Sequence, residues 1–235
     1  MNTTEKTGCL LCGQPLEYLA EPELMTCAVC GRQEMSTVRC TGGHYICDAC
    51  HASPAYAVIT YICMHTSSAD PIAIANEIMN SDTVHMHGPE HHVLAGSALL
   101  AAAKNAGADI DLKRGLDMIQ ARGSKVPGGF CGFAGACGAA LSAGIFYSVL
   151  QGTTPLSEDS WASGMRLTAA CLNAIAEHGG PRCCKRDTYI AMQTAAAFLE
   201  TENGLHLNMP QKITCIFSQL NKECLKAACP FHAAP

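Results

Sequence analysis

Residues 127–138 read Pro-Gly-Gly-Phe-Cys-Gly-Phe-Ala-Gly-Ala-Cys-Gly and lead directly into the apolar segment 139–150. The run has too much glycine for a helix or strand interior, whereas the apolar segment predicts a buried helix. A helix N-terminus offers unpaired N–H groups and a partial positive charge, which favour an ionised thiol. Cys131 and Cys137 are therefore predicted to be reactive thiolates or ligands of a metal or cluster. The alternative is a tight loop with two small, buried cysteines.

The composition indicates metal or thiol chemistry. The chain has 235 residues, of which 16 are cysteine, and its formal net charge is −5. With only 15% charged residues, a generally basic nucleic-acid-binding surface is not expected. The first residues lack the apolar core of a signal peptide, and no apolar run is long enough to span a bilayer. We therefore expect a cytoplasmic protein without membrane segments, in which cysteines favour metals and reactive thiols over disulfides.

The N-terminal cysteines have the spacing of metal ligands. Cys-x2-Cys pairs recur, and eight ligands suffice for two zinc ions: Cys9, Cys12, Cys27, Cys30, Cys40, His44, Cys47 and Cys50. Sequential pairing would join the first four ligands, as in a zinc ribbon, and then the last four. Cross-braced pairing would join Cys9 and Cys12 to Cys40 and His44, and Cys27 and Cys30 to Cys47 and Cys50, in a treble-clef arrangement. His51 is an alternative ligand to His44. Zinc is expected to hold this module together, because it has few large apolar side chains.

The rest of the chain predicts a mainly α protein: a zinc module over residues 1–53, then an α-helical bundle domain over residues 54–235. The segment 54–63 is ambiguous between strand and helix, and helix is favoured. Asp70 and Pro71 predict the start of a helix through Met79. Further helices are predicted from Pro89 to Lys104, from Asp111 to Arg122, over 139–150, from about Ser157 to His178, and over 187–200.

Four histidines lie within eight residues, in His85-Met-His-Gly-Pro-Glu-His-His92, at the start of one predicted helix. Imidazole binds metals and carries protons near neutral pH. We expect His87 and His91 to share a ligand or to transfer protons. Solvated histidines at a polar helix cap are the equally weighted alternative.

Two further cysteine motifs follow. In Pro181-Arg-Cys-Cys-Lys-Arg186, Pro181 predicts the first helical position, so Cys183 and Cys184 would lie at a helix start among three cations. Both features are expected to lower thiol pKa values. The cations Arg182, Lys185 and Arg186 could instead hold an anionic substrate. Near the C-terminus, Cys224 and Cys229-Pro230 offer further cluster ligands. Cys63, Cys171 and Cys215 are predicted to be core residues.

Three motifs thus lie at predicted helix starts: His87–His92, Cys131–Cys137 and Cys183–Cys184. Helix ends of a bundle can gather at one pole. We therefore expect one pocket of imidazoles, thiolates and helix N-termini, suited to a [4Fe–4S] cluster, a catalytic metal or a cysteine redox pair.

At these motifs the chain resembles an uncharacterised, cysteine-rich family of anaerobic bacteria and archaea. The resemblance rests on Met86-His-Gly-Pro-Glu-His-His92, Pro127-Gly-Gly-Phe-Cys131, Cys137-Gly-Ala139, Gly179-Gly-Pro-Arg-Cys-Cys-Lys185, and Asn221-Lys-Glu-Cys224 through Cys229-Pro-Phe231. Members resembling it occur near or fused to radical-SAM enzymes, which implies anaerobic cofactor, methyl or sulfur metabolism. The resemblance supplies no activity.

Three functional hypotheses follow. In the first, a metalloenzyme performs redox or sulfur-transfer chemistry on a small anionic or sulfur-containing molecule. Its cluster would be held by Cys131, Cys137 and Cys183 or Cys184, with Cys224 or Cys229 as alternatives. In the second, Cys131 and Cys137 cycle between dithiol and disulfide without a cluster. In the third, the protein is a zinc-module adaptor or metal carrier serving a redox or radical-SAM partner. The alanine-rich helices would allow a homodimer.

Overall fold

The computed structural model describes residues 8–232 as a β-hairpin followed by eight α-helices. The strands are β1 (Leu16–Thr26) and β2 (Gln33–Cys40). The helices are α1 (Asp48–His65), α2 (Pro71–Met79), α3 (His91–Asn105), α4 (Leu112–Gly123), α5 (Phe130–Phe133), α6 (Gly138–Leu150), α7 (Asp159–Ala176) and α8 (Cys184–Asn203). Two short 3-10 turns, Ser218–Leu220 and Lys226–Ala228, lie in the C-terminal segment. The predicted mainly α fold with a small N-terminal cysteine-rich module is confirmed.

The hairpin is antiparallel, and a register shift between Tyr18 and Glu23 interrupts it. Its register places Cys40 opposite Leu16, so the end of β2 returns to the start of β1. A separate bridge pairs Cys27 with Tyr45. These two pairings decide which cysteines of the module meet.

Helix α1 covers the segment whose secondary structure was ambiguous, and the prediction of a helix there is confirmed. The helix begins at Asp48, the residue after Cys47, and contains Pro54. It therefore runs across the predicted boundary between residues 53 and 54. The division into two domains stays a prediction, because α1 belongs to both parts.

Side-chain caps fix where two of the helices start. Asp70 accepts hydrogen bonds from the backbone N–H groups of Ile72 (2.8 Å) and Ala73 (3.1 Å), and Pro71 opens α2 as predicted. Asp111 likewise caps α4 by accepting from Arg114 N–H at 3.1 Å. Both caps satisfy N–H groups that a helix leaves unpaired.

Helix α3 is the centre of the bundle, because all its residues from His91 to Ala103 are buried. It packs against α1, α2, α4, α6 and α8. At its crossing with α6, Gly96 N–H donates to Ser142 Oγ at 2.8 Å, and a Cβ on Gly96 would lie 2.7 Å from the Ser142 carbonyl oxygen. Only glycine permits this close approach. No helix among residues 8–232 is long and apolar enough to cross a membrane.

Helix α8 begins later than the sequence predicts, and the placement of Pro181 at the first helical position is wrong. Cys183 is the extended N-cap residue, and Cys184 is the first residue of the helix. The Arg186 guanidinium donates to the carbonyl oxygens of Gly179 (2.9 Å) and Pro181 (3.3 Å). These bonds hold the preceding turn against the helix, so the turn is not part of it.

Candidate functional site

The eight N-terminal ligands form two groups, each with its ligand atoms within 4.8 Å of one another. The first group is Cys9, Cys12, Cys40 and His44, and the second is Cys27, Cys30, Cys47 and Cys50. The Cys12–Cys40 and Cys30–Cys47 sulfur pairs are 3.8 and 3.7 Å apart. Of the two pairings that spacing left open, the structure has the cross-braced one. Both groups can hold a metal ion such as zinc.

The hairpin explains this pairing. The return of β2 brings Cys40 beside the start of β1 and hence beside Cys12. The bridge between Cys27 and Tyr45 brings the following Cys47 to Cys27, whose sulfur accepts from Cys47 N–H at 3.3 Å. Burial raises the pKa of Cys27, but backbone N–H groups, that of Cys47 first, outweigh it and lower the pKa to about 6. Such N–H groups stabilise a metal-bound thiolate.

The three motifs expected at helix starts do lie together. The Cys184 sulfur lies beside the backbone of Gly88. The Cys137 thiol is 3.8 Å from Asp187 Oδ2. The His92 ring lies against Gly138. The starts of α3, α6 and α8 therefore meet at one pole, while the functional roles of these residues stay predictions.

The prediction that these helix starts lower the thiol pKa values is wrong. Burial raises the pKa of Cys137 to about 12 and that of Cys183 to about 11, and it raises the pKa of Cys184 further. Desolvation disfavours the thiolate more than the helix N-terminus favours it. The buried Asp187 carboxylate, which is near all three sulfurs, acts in the same direction.

His87 and His91 face different partners, and among the described residues neither belongs to a group of three or more potential ligands. A ligand shared by these two histidines stays a prediction. His87 Nε2 is 3.3 Å from both Asn221 Oδ1 and Glu223 Oε2. The His91 ring contacts the Gly88 carbonyl oxygen at 3.2 Å through Nδ1. Burial lowers the pKa of both imidazoles, that of His91 well below its usual value. Both rings are therefore neutral at pH 7, and proton transfer by them stays a prediction.

The three predicted anion-binding cations have partners within the protein. Arg182 bonds to the Tyr18 hydroxyl of the hairpin and stacks over its ring. Arg186 is buried and pairs with Asp187 at 2.9 Å. Lys185 is also buried, and its Nζ donates to the His85 carbonyl oxygen at 3.0 Å. Substrate binding by these residues stays a prediction.

A second cysteine cluster lies at the C-terminal end of the fold. One cavity is lined by Cys183, Cys215, Cys224 and Cys229, together with Lys185, Asn221 and His232. Cys215 was predicted as a core residue, but it is half-buried and lines this cavity. Its flanking sequence, Thr-Cys-Ile-Phe, is apolar and offered no signal of this role. Only the folding of the C-terminal segment onto α8 shows it.

Three sulfurs of this cavity accept N–H hydrogen bonds. Asn221 Nδ2 donates to Cys183 at 3.5 Å, Phe217 N–H to Cys215 at 3.4 Å, and Lys226 N–H to Cys224 at 3.3 Å. The last two come from the residue two positions after the cysteine. In the N-terminal sites, backbone N–H groups also donate to ligand sulfurs, from Cys47 to Cys27 at 3.3 Å and from His44 to Cys40 at 3.2 Å. The cavity cysteines thus resemble the N-terminal ligands in accepting backbone hydrogen bonds.

These features define a helical protein with two cross-braced metal-binding sites in its N-terminal module and a further cysteine cluster beside α8. The chain belongs to a family of unknown function, DUF5714, whose model matches residues 59–232. No curated protein and no solved structure gives a significant match. The family match begins inside α1, so it leaves out both N-terminal sites and includes the whole pole and the cysteine cavity.

Proposed function

We propose that the protein is a metalloenzyme that uses the C-terminal cysteine cavity to hold an iron–sulfur cluster, for redox or sulfur-transfer chemistry on a small anionic molecule. The observation that carries the proposal is the convergence of Cys183, Cys215, Cys224 and Cys229 on one cavity. Three of these sulfurs accept hydrogen bonds from N–H groups, as the sulfurs of iron–sulfur centres do.

The spacing of the sulfurs favours a cluster over a single ion. In the described chain, no three of these four sulfurs lie within 4.8 Å of one another, unlike those of the N-terminal sites. A cluster separates its cysteine ligands more widely than one ion does. With the thiols in their present positions, the cavity encloses about 20 Å³, which is room for one water molecule. A cluster would therefore require the partly exposed segment 224–229 to move outward.

The groups around the cavity suit a small anionic substrate. Lys185 lines the cavity, and its ammonium lies 4.9 Å from the centre of the Phe217 ring. His87 contacts Asn221, which also lines the cavity, so a neutral imidazole is available close to it. A bound cluster would supply electron transfer or an open iron site, while these residues would bind the substrate and move protons. In this proposal the protein is cytoplasmic.

The resemblance to proteins near radical-SAM enzymes supports an anaerobic setting and a redox or radical-SAM partner as part of the same proposal. Cys137 and Cys184 lie near Asp187 and Cys131 lies near Cys137, and none of the three lines the cavity. They are the candidates for the dithiol chemistry that would operate without a cluster.

Anaerobic purification followed by iron and sulfide analysis and an absorption spectrum tests the proposal. We expect a brown protein with iron and acid-labile sulfide, both lost in Cys215→Ser and Cys229→Ser. Cys171→Ser is the matched control, because Cys171 is a buried cysteine of α7 that does not line the cavity. Colourless wild-type protein, or colour that survives both cavity variants, would overturn the proposal. If the colour is lost only in Cys131→Ser or Cys137→Ser, the cysteines of the glycine-rich loop would be the cluster ligands.

A further inference from the structure

His51, His85 and Glu90 form a third group of potential metal ligands, with ligand atoms within 4.8 Å of one another. They come from three places in the chain. His51 lies in the first turn of α1, His85 in the loop before α3, and Glu90 at the N-cap of α3. Spacing offered His51 as an alternative ligand to His44, but the structure places it in neither N-terminal site.

The distances in this group match those between ligands of one metal ion. His51 Nδ1 is 3.5 Å from Glu90 Oε2, and His85 Nδ1 is 3.1 Å from Glu90 Oε1. Ligand atoms about 2.1 Å from a tetrahedral zinc ion lie about 3.4 Å from each other. The His51 and His85 rings are also close, with centroids 4.3 Å apart.

Two atoms of the group have no hydrogen-bond partner among the described residues. They are Glu90 Oε2 and His51 Nδ1, which face each other without hydrogen-bond geometry. Glu90 is fully buried, and its other oxygen, Oε1, is hydrogen-bonded to the backbone N–H of His85 at 2.8 Å and to His85 Nδ1 at 3.1 Å. A buried carboxylate oxygen without a hydrogen bond costs free energy, which a metal ion between it and His51 would offset.

We infer that His51, His85 and Glu90 bind a divalent transition-metal ion and leave its fourth coordination position open. Two imidazoles and one carboxylate are the ligand set of catalytic zinc sites, and of non-haem ferrous sites. The N-terminal sites differ, because each has four protein ligands and is closed. The third site therefore binds a reactive ion, to which a water molecule or a substrate oxygen can coordinate.

The N-terminal module holds one ligand of this site in place. His51 directly follows Cys50, a ligand of the second N-terminal site, and its N–H donates to the Cys47 carbonyl oxygen at 3.0 Å. Metal bound by those cysteines thus fixes the turn that carries His51. On the other side, Lys185 Nζ bonds to the His85 carbonyl oxygen and also lines the cysteine cavity. Lys185 therefore connects the loop that carries His85 with the cavity.

Cobalt(II) titration of the full chain tests the inference. The protein is purified without oxygen and treated with a mild chelator that leaves the closed cysteine sites loaded. We expect one added equivalent of cobalt with visible d–d bands and no thiolate charge-transfer band. Glu90→Gln and His85→Ala should each lose this equivalent. His206→Ala is the control, because His206 is an exposed histidine that also lies near a carboxylate, that of Glu200.

Circular dichroism and metal analysis of the N-terminal sites establish that each variant is folded before it is titrated. Glu90→Gln preserves size, and His85 is partly exposed, so at least one variant remains testable if the other does not fold. If the wild-type protein takes up no cobalt, or if the variants take up as much as the wild type, the inference would be refuted. The group would then be a hydrogen-bonded carboxylate–histidine cluster that binds no metal ion. Cys215→Ser should still bind this one equivalent of cobalt, because Cys215 is not a ligand of the third site. The test therefore does not depend on the iron–sulfur proposal.

Discussion

The contact between the starts of α3 and α6 can be tested at Gly138. A Cβ built on Gly138 would overlap the imidazole of His92. His92 has little freedom to turn away, because it is 8% exposed and its Nδ1 bonds to the Val126 carbonyl oxygen at 2.9 Å. Gly138→Ala should therefore strain the pole where Cys137 and the histidine motif meet.

The expected loss follows from the cost of overpacking. Inserting one methyl group into a packed site destabilises a protein by about 1–3 kcal/mol. For a chain of this size, that lowers the melting temperature by about 2–12 °C. Gly132→Ala is the matched control, because Gly132 is exposed, lies in α5 in the same loop, and has nothing within 4 Å of its added Cβ. It should leave the melting temperature unchanged or raise it by a few degrees, since alanine favours helix.

Thermal unfolding followed by circular dichroism, at equal metal content, measures both variants. A double variant, Gly138→Ala with His92→Ala, identifies the contact: removing the ring should make the effects of the two changes clearly non-additive. If Gly138→Ala has the same melting temperature as the wild type, or if the effects of the two substitutions on stability are additive, the packing of α6 against His92 would be refuted. The convergence of the three helix starts would then lose one of its contacts.

Three other outcomes are expected. Asp70→Ala removes the cap of α2 and should cost about 1 kcal/mol, measured by urea unfolding against Asp109→Ala, a change at an exposed aspartate outside the helices. Cys12→Ser should lower the bound-metal content by one ion while leaving the second N-terminal site loaded, since the two sites share no ligand; loss of both ions would contradict independent sites. Burial raises the pKa of Cys63 to about 12, so above about pH 9 the unfolded thiol loses its proton while the folded thiol keeps it. The free energy of unfolding should thus fall as the pH rises from about 8 to about 10, and it should fall less steeply in Cys63→Ala. If the free energy of unfolding changes with pH by the same amount in both proteins, the burial of Cys63 would be contradicted.

Local signals in the sequence were sufficient to predict most of the helical fold. The Asp-Pro pair fixed the start of α2 at Pro71, and the apolar run after Cys137 was α6. The start of α8 was wrong because it depends on Arg186 reaching back to the carbonyl groups of the preceding turn. Such bonds from a side chain to backbone groups five and seven residues earlier have no periodic signature in the sequence.

The sites were predictable only where ligands are close in sequence. The three Cys-x2-Cys pairs identified six ligands of the N-terminal sites, and Cys40 with the nearby His44 identified the other two, but which ligands share a site depends on the register of the hairpin. Within the histidine motif, spacing favoured His87 and His91, whereas the structure groups His85 with Glu90. Glu90 could have been noticed as the one acidic residue between Asp82 and Asp109. Its meeting with His51 depends on how α1 packs against α3, which local sequence does not contain.

These arrangements give the N-terminal module a role beyond its own fold. A module that served only stability would need no contact with the helical pole, yet it supplies His51 to Glu90 and Tyr18 to Arg182. The family match covers Glu90 and Arg182 but neither of their partners from the module. The matched region alone would leave a buried carboxylate with one histidine in place of two. We therefore infer that the module and the helical region form one chemical unit, in which a metal ion bound by Cys50 and its three partners would position His51 for the neighbouring site.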